Sequence, residues 1–314
     1  MNATTAIDPQ AATQLRLIAD FMLGEADADI EAQRQKVKAL IGQMSHYQSH
    51  EFEGEITNAV VNDGKTVVPV RRYVPANAAS AAGIVYFHGG GWVFGDLDTG
   101  ERFARALART TGVTVVSVDY RRAPEHAYPA ALVDCLVVAN SALTEFGRWC
   151  AVVGDSAGGN LAAAVTVALA GTDRAFGAQL LLYPCLDASM SGASYQEFAD
   201  GYGLTRDTMQ YYWNAYAGDR PRNDSLLSPL AAKSLGGLPT TIIVAAGFDV
   251  LRDEGVRFAQ RLVASSIPTV YLPFATLPHG FIDLVDQVDA ARQGLGEVLS
   301  IFKTLLPAAP VAIE

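Results

Sequence analysis

A chain of 314 residues, half of them apolar, can bury one large core or two ordinary ones. Its 33 acidic residues against 23 basic ones leave a net charge of −10. No basic patch is available to neutralise phosphates, so neither a nucleic acid nor an anionic membrane surface is an expected partner.

In chain order, residues 1–45 predict two amphipathic helices, an N-terminal cap segment. One carries Leu15, Ile18, Phe21 and Met22, the other Ile30, Val37, Leu40, Ile41 and Met44. The opening stretch has no positive flank before an apolar run, so it does not read as a signal peptide. Residues 55–61 and 66–73 alternate like strands, and Asn62-Asp63-Gly64-Lys65 between them has the chemistry of a hairpin turn. From residue 83 onward, β-rich runs at 84–87, 113–118, 150–153, 180–183, 241–245 and 269–272 alternate with helix-length stretches. The helices are expected near 99–111, 128–146, 158–171, 251–265 and 287–305. Several strands are apolar on consecutive residues, as parallel strands covered on both faces should be. The class is therefore α/β, a mostly parallel sheet with helices on both faces.

Residues 188–225 interrupt this rhythm with a Ser-, Gly- and aromatic-rich insertion and a helix starting near Thr205. With the N-terminal helices they are expected to form a lid over one end of the sheet. The uncharged run 156–172 contains glycines, Asn160 and threonines and predicts a buried soluble helix rather than a membrane span. Cys135, Cys150 and Cys185 are odd in number, far apart and set in apolar surroundings. They read as buried thiols in a reducing cytoplasm.

Three consecutive glycines, Gly89 to Gly91, follow an apolar run ending in His88. Such a cluster is costly unless the chain needs unusual dihedrals or a close approach. A phosphate loop is excluded, since no G-x-x-x-x-G-K-[ST] exists, and the dinucleotide fingerprints fail at Phe94 and Arg206. No C-x-x-C or H-E-x-x-H is present, so no metal is implied.

Gly154-Asp155-Ser156-Ala157-Gly158 lies after one predicted strand and opens a helix, the context of a nucleophile elbow. In the chain order Ser, Asp or Glu, His, only one histidine qualifies as base. His46, His50, His88 and His126 all precede Ser156, which leaves His279, in a loop after the last predicted strand. The orienting acid should leave a strand at its C-terminal edge. Asp249, Asp253 and Glu254 lie past the 241–245 run. Asp249 falls in the loop, the other two in the first turn of the next helix, where acids favour the macrodipole. An acyl-transfer site also needs fixed N–H donors for a developing oxyanion. Ala157, directly after the nucleophile, supplies one, and the Gly89 and Gly90 amides are the expected others, with His88 bracing the loop.

The ordered set His88-Gly89-Gly90-Gly91-Trp92, Asp119 to His126, Gly154-Asp155-Ser156-Ala157-Gly158-Gly159, Asp249 to Glu254 and His279-Gly280-Phe281 resembles the hormone-sensitive lipase family of bacterial carboxylesterases. The resemblance covers residues 83 to 302, and Arg122 and Val250 stand where that family often has leucine and proline. It implies an α/β-hydrolase fold with an eight-stranded sheet over 46–314, and a helical cap made from the N-terminus and the 188–225 insertion. It further implies a serine esterase acting on small, apolar, short- to medium-chain acyl esters, with Asp249 as the triad acid and no cofactor. It allows a homodimer paired through the last strand. His126 belongs to a family motif without a catalytic role. An amidase or peptidase with the same triad is the alternative. A ligand receptor on the same fold, like the plant gibberellin receptors, is disfavoured because such receptors lose the histidine that His279 matches.

Overall fold

The computed structural model of the protein describes residues 6–22, 29–44, 52–78 and 82–306. The expected segment boundary at 45/46 and the side chains of Phe21, Met22 and Met44 lie outside the described residues.

One sheet of eight strands organises the molecule: β1 (Gly54–Asn62), β2 (Val67–Pro75), β3 (Gly83–Phe87), β4 (Thr114–Val118), β5 (Cys150–Asp155), β6 (Ala178–Leu182), β7 (Thr240–Phe248) and β8 (Thr269–Pro278). Their spatial order is β1-β2-β4-β3-β5-β6-β7-β8. β2 runs antiparallel to β1 and β4, and every later pairing is parallel. The leading hairpin closes as its turn chemistry requires. Asn62 accepts the Gly64 N–H at 2.7 Å, Asp63 accepts those of Lys65 and Thr66, and Gly64 sits at φ 90°.

Every residue of β3, β4, β5 and β6 is buried, which explains their continuous apolar runs. Successive side chains point to opposite faces. Val85 and Phe87 enter one core with α4 (Ala130–Phe146), α5 (Ala157–Leu169) and α8 (Arg252–Ala264). Ile84 and Tyr86 enter the other with α3 (Glu101–Thr111) and α9 (Asp289–Leu305). Burying side chains of this size contributes about 1.5–3 kcal/mol each, so the two cores dominate the folding energy.

The uncharged 156–172 run forms α5, with ten buried residues. The helical stretch Ala130–Trp149, 20 residues, is long and apolar enough to cross a membrane by length and composition alone. It packs on the sheet and on α5, and its buried Asp134 accepts the Arg121 N–H at 2.9 Å, as suits a core helix.

β7 and β8 run furthest past their expected ends. Pro273 should end a strand, but among the described residues β7 is the one strand that pairs with β8, so the missing N–H falls where no ladder partner is lost. β8 therefore continues to Pro278. β7 continues to Phe248, with a register shift between Ala246 and Phe248. Gly247 sits at that irregularity because a Cβ there would lie 2.1 Å from the Ala275 carbonyl oxygen. These extensions carry both strands to the edge where Asp249 and His279 begin.

The N-terminal helices are α1 (Pro9–Met22) and α2 (Ile30–Met44). Asp8 caps the first by accepting the Gln10 and Ala11 N–H groups, and Asp29 caps the second through Ala32. Arg34 on α2 donates to the carbonyls of Val93 and Ala123 and forms a two-point pair with Glu125, both bonds 2.7 Å. That one side chain fastens α2 to the glycine-rich loop and to the Arg121–Glu125 turn. The insertion contributes α6 (Ser194–Glu197) and α7 (Arg206–Ala217), the latter capped by Thr205, which accepts the Thr208 N–H. A Cβ on Gly203 would lie 2.9 Å from Leu15, so α1 borders the turn before α7.

Candidate active site

β5 ends at Asp155 and α5 begins at Ala157, leaving Ser156 on the turn between them at φ 53°, ψ −118°. A non-glycine residue there is strained and persists only where its surroundings over-determine it. The Ser156 N–H donates to Leu182 at 2.8 Å, which anchors the turn to β6. The flanking glycines provide clearance rather than unusual dihedrals. A Cβ on Gly158 would sit 1.9 Å from the Phe87 carbonyl oxygen, and one on Gly154 2.1 Å from that of Gly158.

Asp249 and His279 each follow directly on a strand, β7 and β8. Asp249 is 1% exposed, and its Oδ2 lies 2.7 Å from His279 Nδ1 while Oδ1 accepts the Leu251 N–H. His279 Nε2 lies 2.9 Å from Ser156 Oγ. A carboxylate on Nδ1 selects the tautomer with its proton there, which leaves Nε2 free to accept from the serine hydroxyl. The edge of the Tyr183 ring packs on the imidazole with centroids 4.7 Å apart, restricting its rotation.

The two other acids near β7 do different work. Asp253 accepts the Ser194 N–H at 2.9 Å and so joins α6 to the start of α8. Glu254 is not the solvent-facing acid expected of a helix first turn. It is fully buried, accepts the N–H groups of Leu186 and Asp187 and the Tyr195 hydroxyl, and burial pushes its carboxyl up to about 8. It clamps the chain leaving β6, where the cap insertion begins. Nothing in the local sequence separates it from Asp253; only the helix's orientation against the sheet does.

The glycine loop requires one correction. The Gly89 N–H, expected to face an oxyanion, donates to Asp155 Oδ1 at 3.0 Å and is already committed. Among the described residues, Gly90, Gly91 and Ala157 have backbone N–H groups that make no such bond. Gly90, at φ 112°, accepts from Val93 and Phe94 and folds the loop back, and Tyr212 of α7 lies against Gly91. The three glycines are chemically identical in sequence, so only the position of the Asp155 carboxylate tells them apart.

His88 braces the loop. Its ring stacks on Tyr120 at 4.3 Å, Nδ1 lies 2.8 Å from the Gly89 carbonyl, and burial lowers its pKa to about 4, so it is neutral. Arg122 donates to the Gly95 carbonyl and stiffens the same loop from outside. His126 is exposed. Cys185, a neighbour that sequence reasoning missed, places its Sγ 4.0 Å from Ser156 Oγ and its N–H on the Ser156 carbonyl. All three cysteines are buried and unpaired.

Residues 84–283 match a family described as having the alpha/beta hydrolase fold. The chain is 35% identical over 294 residues to the carboxylic ester hydrolase LipN of Mycobacterium tuberculosis, covering 89% of this chain and 77% of that one. An ethyl acetate hydrolase of Pseudomonas putida is 33% identical, over 74% of this chain and 77% of its own. The solved structure of a thermostable esterase from Pseudomonas putida superposes with a TM-score of 0.86 at 30% identity, covering 98% of this chain and 100% of that one. The eight-stranded, mostly parallel sheet and these likenesses agree: the chain belongs to the α/β-hydrolase family that contains the hormone-sensitive lipase-like esterases, and it is a carboxylic ester hydrolase.

Proposed function

We propose that the protein hydrolyses short- to medium-chain acyl esters through a Ser156-His279-Asp249 triad and an acyl-enzyme. The observation that carries this reading is the bridging imidazole, 2.7 Å from Asp249 and 2.9 Å from Ser156. His279 Nε2 takes the serine proton as Oγ attacks the ester carbonyl carbon, and Asp249 stabilises the imidazolium. The tetrahedral oxyanion is held by the N–H groups of Gly90, Gly91 and Ala157, with Gly91 taking the place first given to Gly89. The imidazolium then protonates the leaving alkoxide. A water molecule, deprotonated by the same nitrogen, attacks the acyl-serine and releases the acid.

Chain length is set by the cap. Met209, Trp213 and Tyr216 on α7 are fully packed, and Trp92 of the glycine loop stacks on Tyr216 at 4.5 Å and tilts on Trp213 at 4.4 Å. Aromatic packing this dense supports a site closed at one end. Acyl groups of about four to eight carbons should therefore have the highest kcat/KM, because a longer chain must displace packed side chains. A p-nitrophenyl ester series with matched anilides tests this: faster turnover of long-chain triglycerides refutes the length limit, and faster turnover of anilides favours the amidase alternative.

Residues 1–45 and 188–225 act as the cap over a catalytic domain spanning the rest. The outer edge of β8 supports pairing of two copies in a homodimer, measurable by light scattering. The buried thiols support a reducing, cytoplasmic setting.

A further inference from the structure

The motif residue directly before the nucleophile has no role in the mechanism above, yet its carboxylate is buried beneath the site. Asp155 Oδ1 accepts two hydrogen bonds, from the Gly89 N–H at 3.0 Å and from the Tyr86 hydroxyl at 2.8 Å. Tyr86 belongs to β3, the strand that leads into the glycine loop, and Asp155 ends β5, the strand that leads into Ser156. The contact is close enough to dictate sequence, since a Cβ on Gly89 would sit 2.3 Å from Asp155 Oδ2.

We infer that Asp155 is the positioning residue of the oxyanion hole: by holding the Gly89 peptide on the strand that presents Ser156, it sets where the Gly90 and Gly91 N–H groups point. This rests on the triad reading. An oxyanion hole works only if its donors are fixed before the charge develops, at about 2.7–3.1 Å from where the oxyanion will lie. A glycine loop cannot fix itself, because each glycine adds backbone freedom. The Asp155–Gly89 bond removes that freedom at the first peptide of the loop, and the Gly90 turn then passes the constraint on to the next two. Burial, helped by Asp283, pushes the Asp155 carboxyl up to about 7. Oδ1 accepts both bonds whether or not Oδ2 carries a proton, so acceptor geometry rather than charge is what the loop requires.

Four variants and one inhibitor test it, with kcat expressed per site titrated by a fluorophosphonate. Asp155→Ala should lower kcat by about 10²-fold with KM nearly unchanged, the size of a lost oxyanion donor. A trifluoromethyl ketone, whose hemiketal oxyanion occupies the hole, should lose affinity in the same proportion. Asp155→Asn keeps an acceptor oxygen and should stay within about tenfold of wild type. Gly89→Ala forces the same separation from the other side, and the double variant Gly89→Ala/Asp155→Ala should be no worse than Asp155→Ala alone, because both break one contact. Wild-type kcat in Asp155→Ala, equal losses in Ala and Asn, or additive losses in the double variant would overturn the proposal. Should Asp155→Ala fail to fold, normal kcat and ketone affinity in Gly89→Ala would overturn it instead. Turnover surviving Ser156→Ala is the separate result that removes the triad reading itself.

Discussion

A fluorophosphonate should modify Ser156 and no other serine, and Ser156→Ala should lower kcat by on the order of 10⁴-fold or more with the fold retained. In the proposed mechanism the hydroxyl is activated by its neighbour rather than by its own chemistry. Only a serine that can pass its proton to a base at hydrogen-bond distance becomes nucleophilic at neutral pH. Ser156 has such a base in His279 Nε2 at 2.9 Å. Other described serine hydroxyls are directed elsewhere. Ser194 donates to the Val250 carbonyl, Ser228 to that of Arg222, and Ser189 and Ser191 to the Asp187 carboxylate. A carbonyl oxygen cannot take a proton, and a carboxylate is too weak a base to generate an alkoxide. The fold should survive because the strain at Ser156 is a backbone property that alanine shares. Intact-mass analysis and peptide mapping detect the adduct. Labelling at another serine, or turnover retained in Ser156→Ala, would remove Ser156 from the mechanism.

The second large effect separates two acids four residues apart. Asp249→Asn should lower kcat by on the order of 10³- to 10⁴-fold. The amide keeps the shape of the carboxylate but can present its NH₂ to His279 Nδ1. That selects the opposite tautomer and places a proton on Nε2, where the serine must donate. The amide also carries no charge to stabilise the imidazolium. Asp253→Asn should leave kcat close to wild type, because its carboxylate holds the Ser194 N–H and an amide oxygen can accept the same bond. Its cost is the lost charge at the start of α8, about 0.3–1 kcal/mol of stability. Steady-state kinetics with a thermal melt on both variants decides it. A severe kinetic loss in Asp253→Asn beside a near-normal Asp249→Asn would reverse the assignment.

Much of this protein was determined by local signals in the sequence. Consecutive apolar residues in the central runs can be satisfied only where both faces of a strand are covered, so the parallel sheet was legible from β3 to β7. Asn62 to Lys65 closes the leading hairpin by its own side-chain bonds, which need no tertiary partner. The elbow was legible for the same reason: Gly154, Ser156 and Gly158 act within one turn, and chain order alone reduced five histidines to His279.

Tertiary structure decided whatever depends on a residue distant in sequence. Pro273 reads as a strand end, and only β8's place beyond β7 shows that its missing N–H is harmless. Asp253 and Glu254 are neighbours with the same charge, and the packing of α8 against the chain leaving β6 buries one and leaves the other on the cap. Gly89, Gly90 and Gly91 are indistinguishable as residues. Their roles diverge because Asp155, 66 positions from Gly89, lies beside the first of them and takes its N–H. A hydrogen-bond donor can serve one partner well at a time, and which partner it meets is a property of the fold.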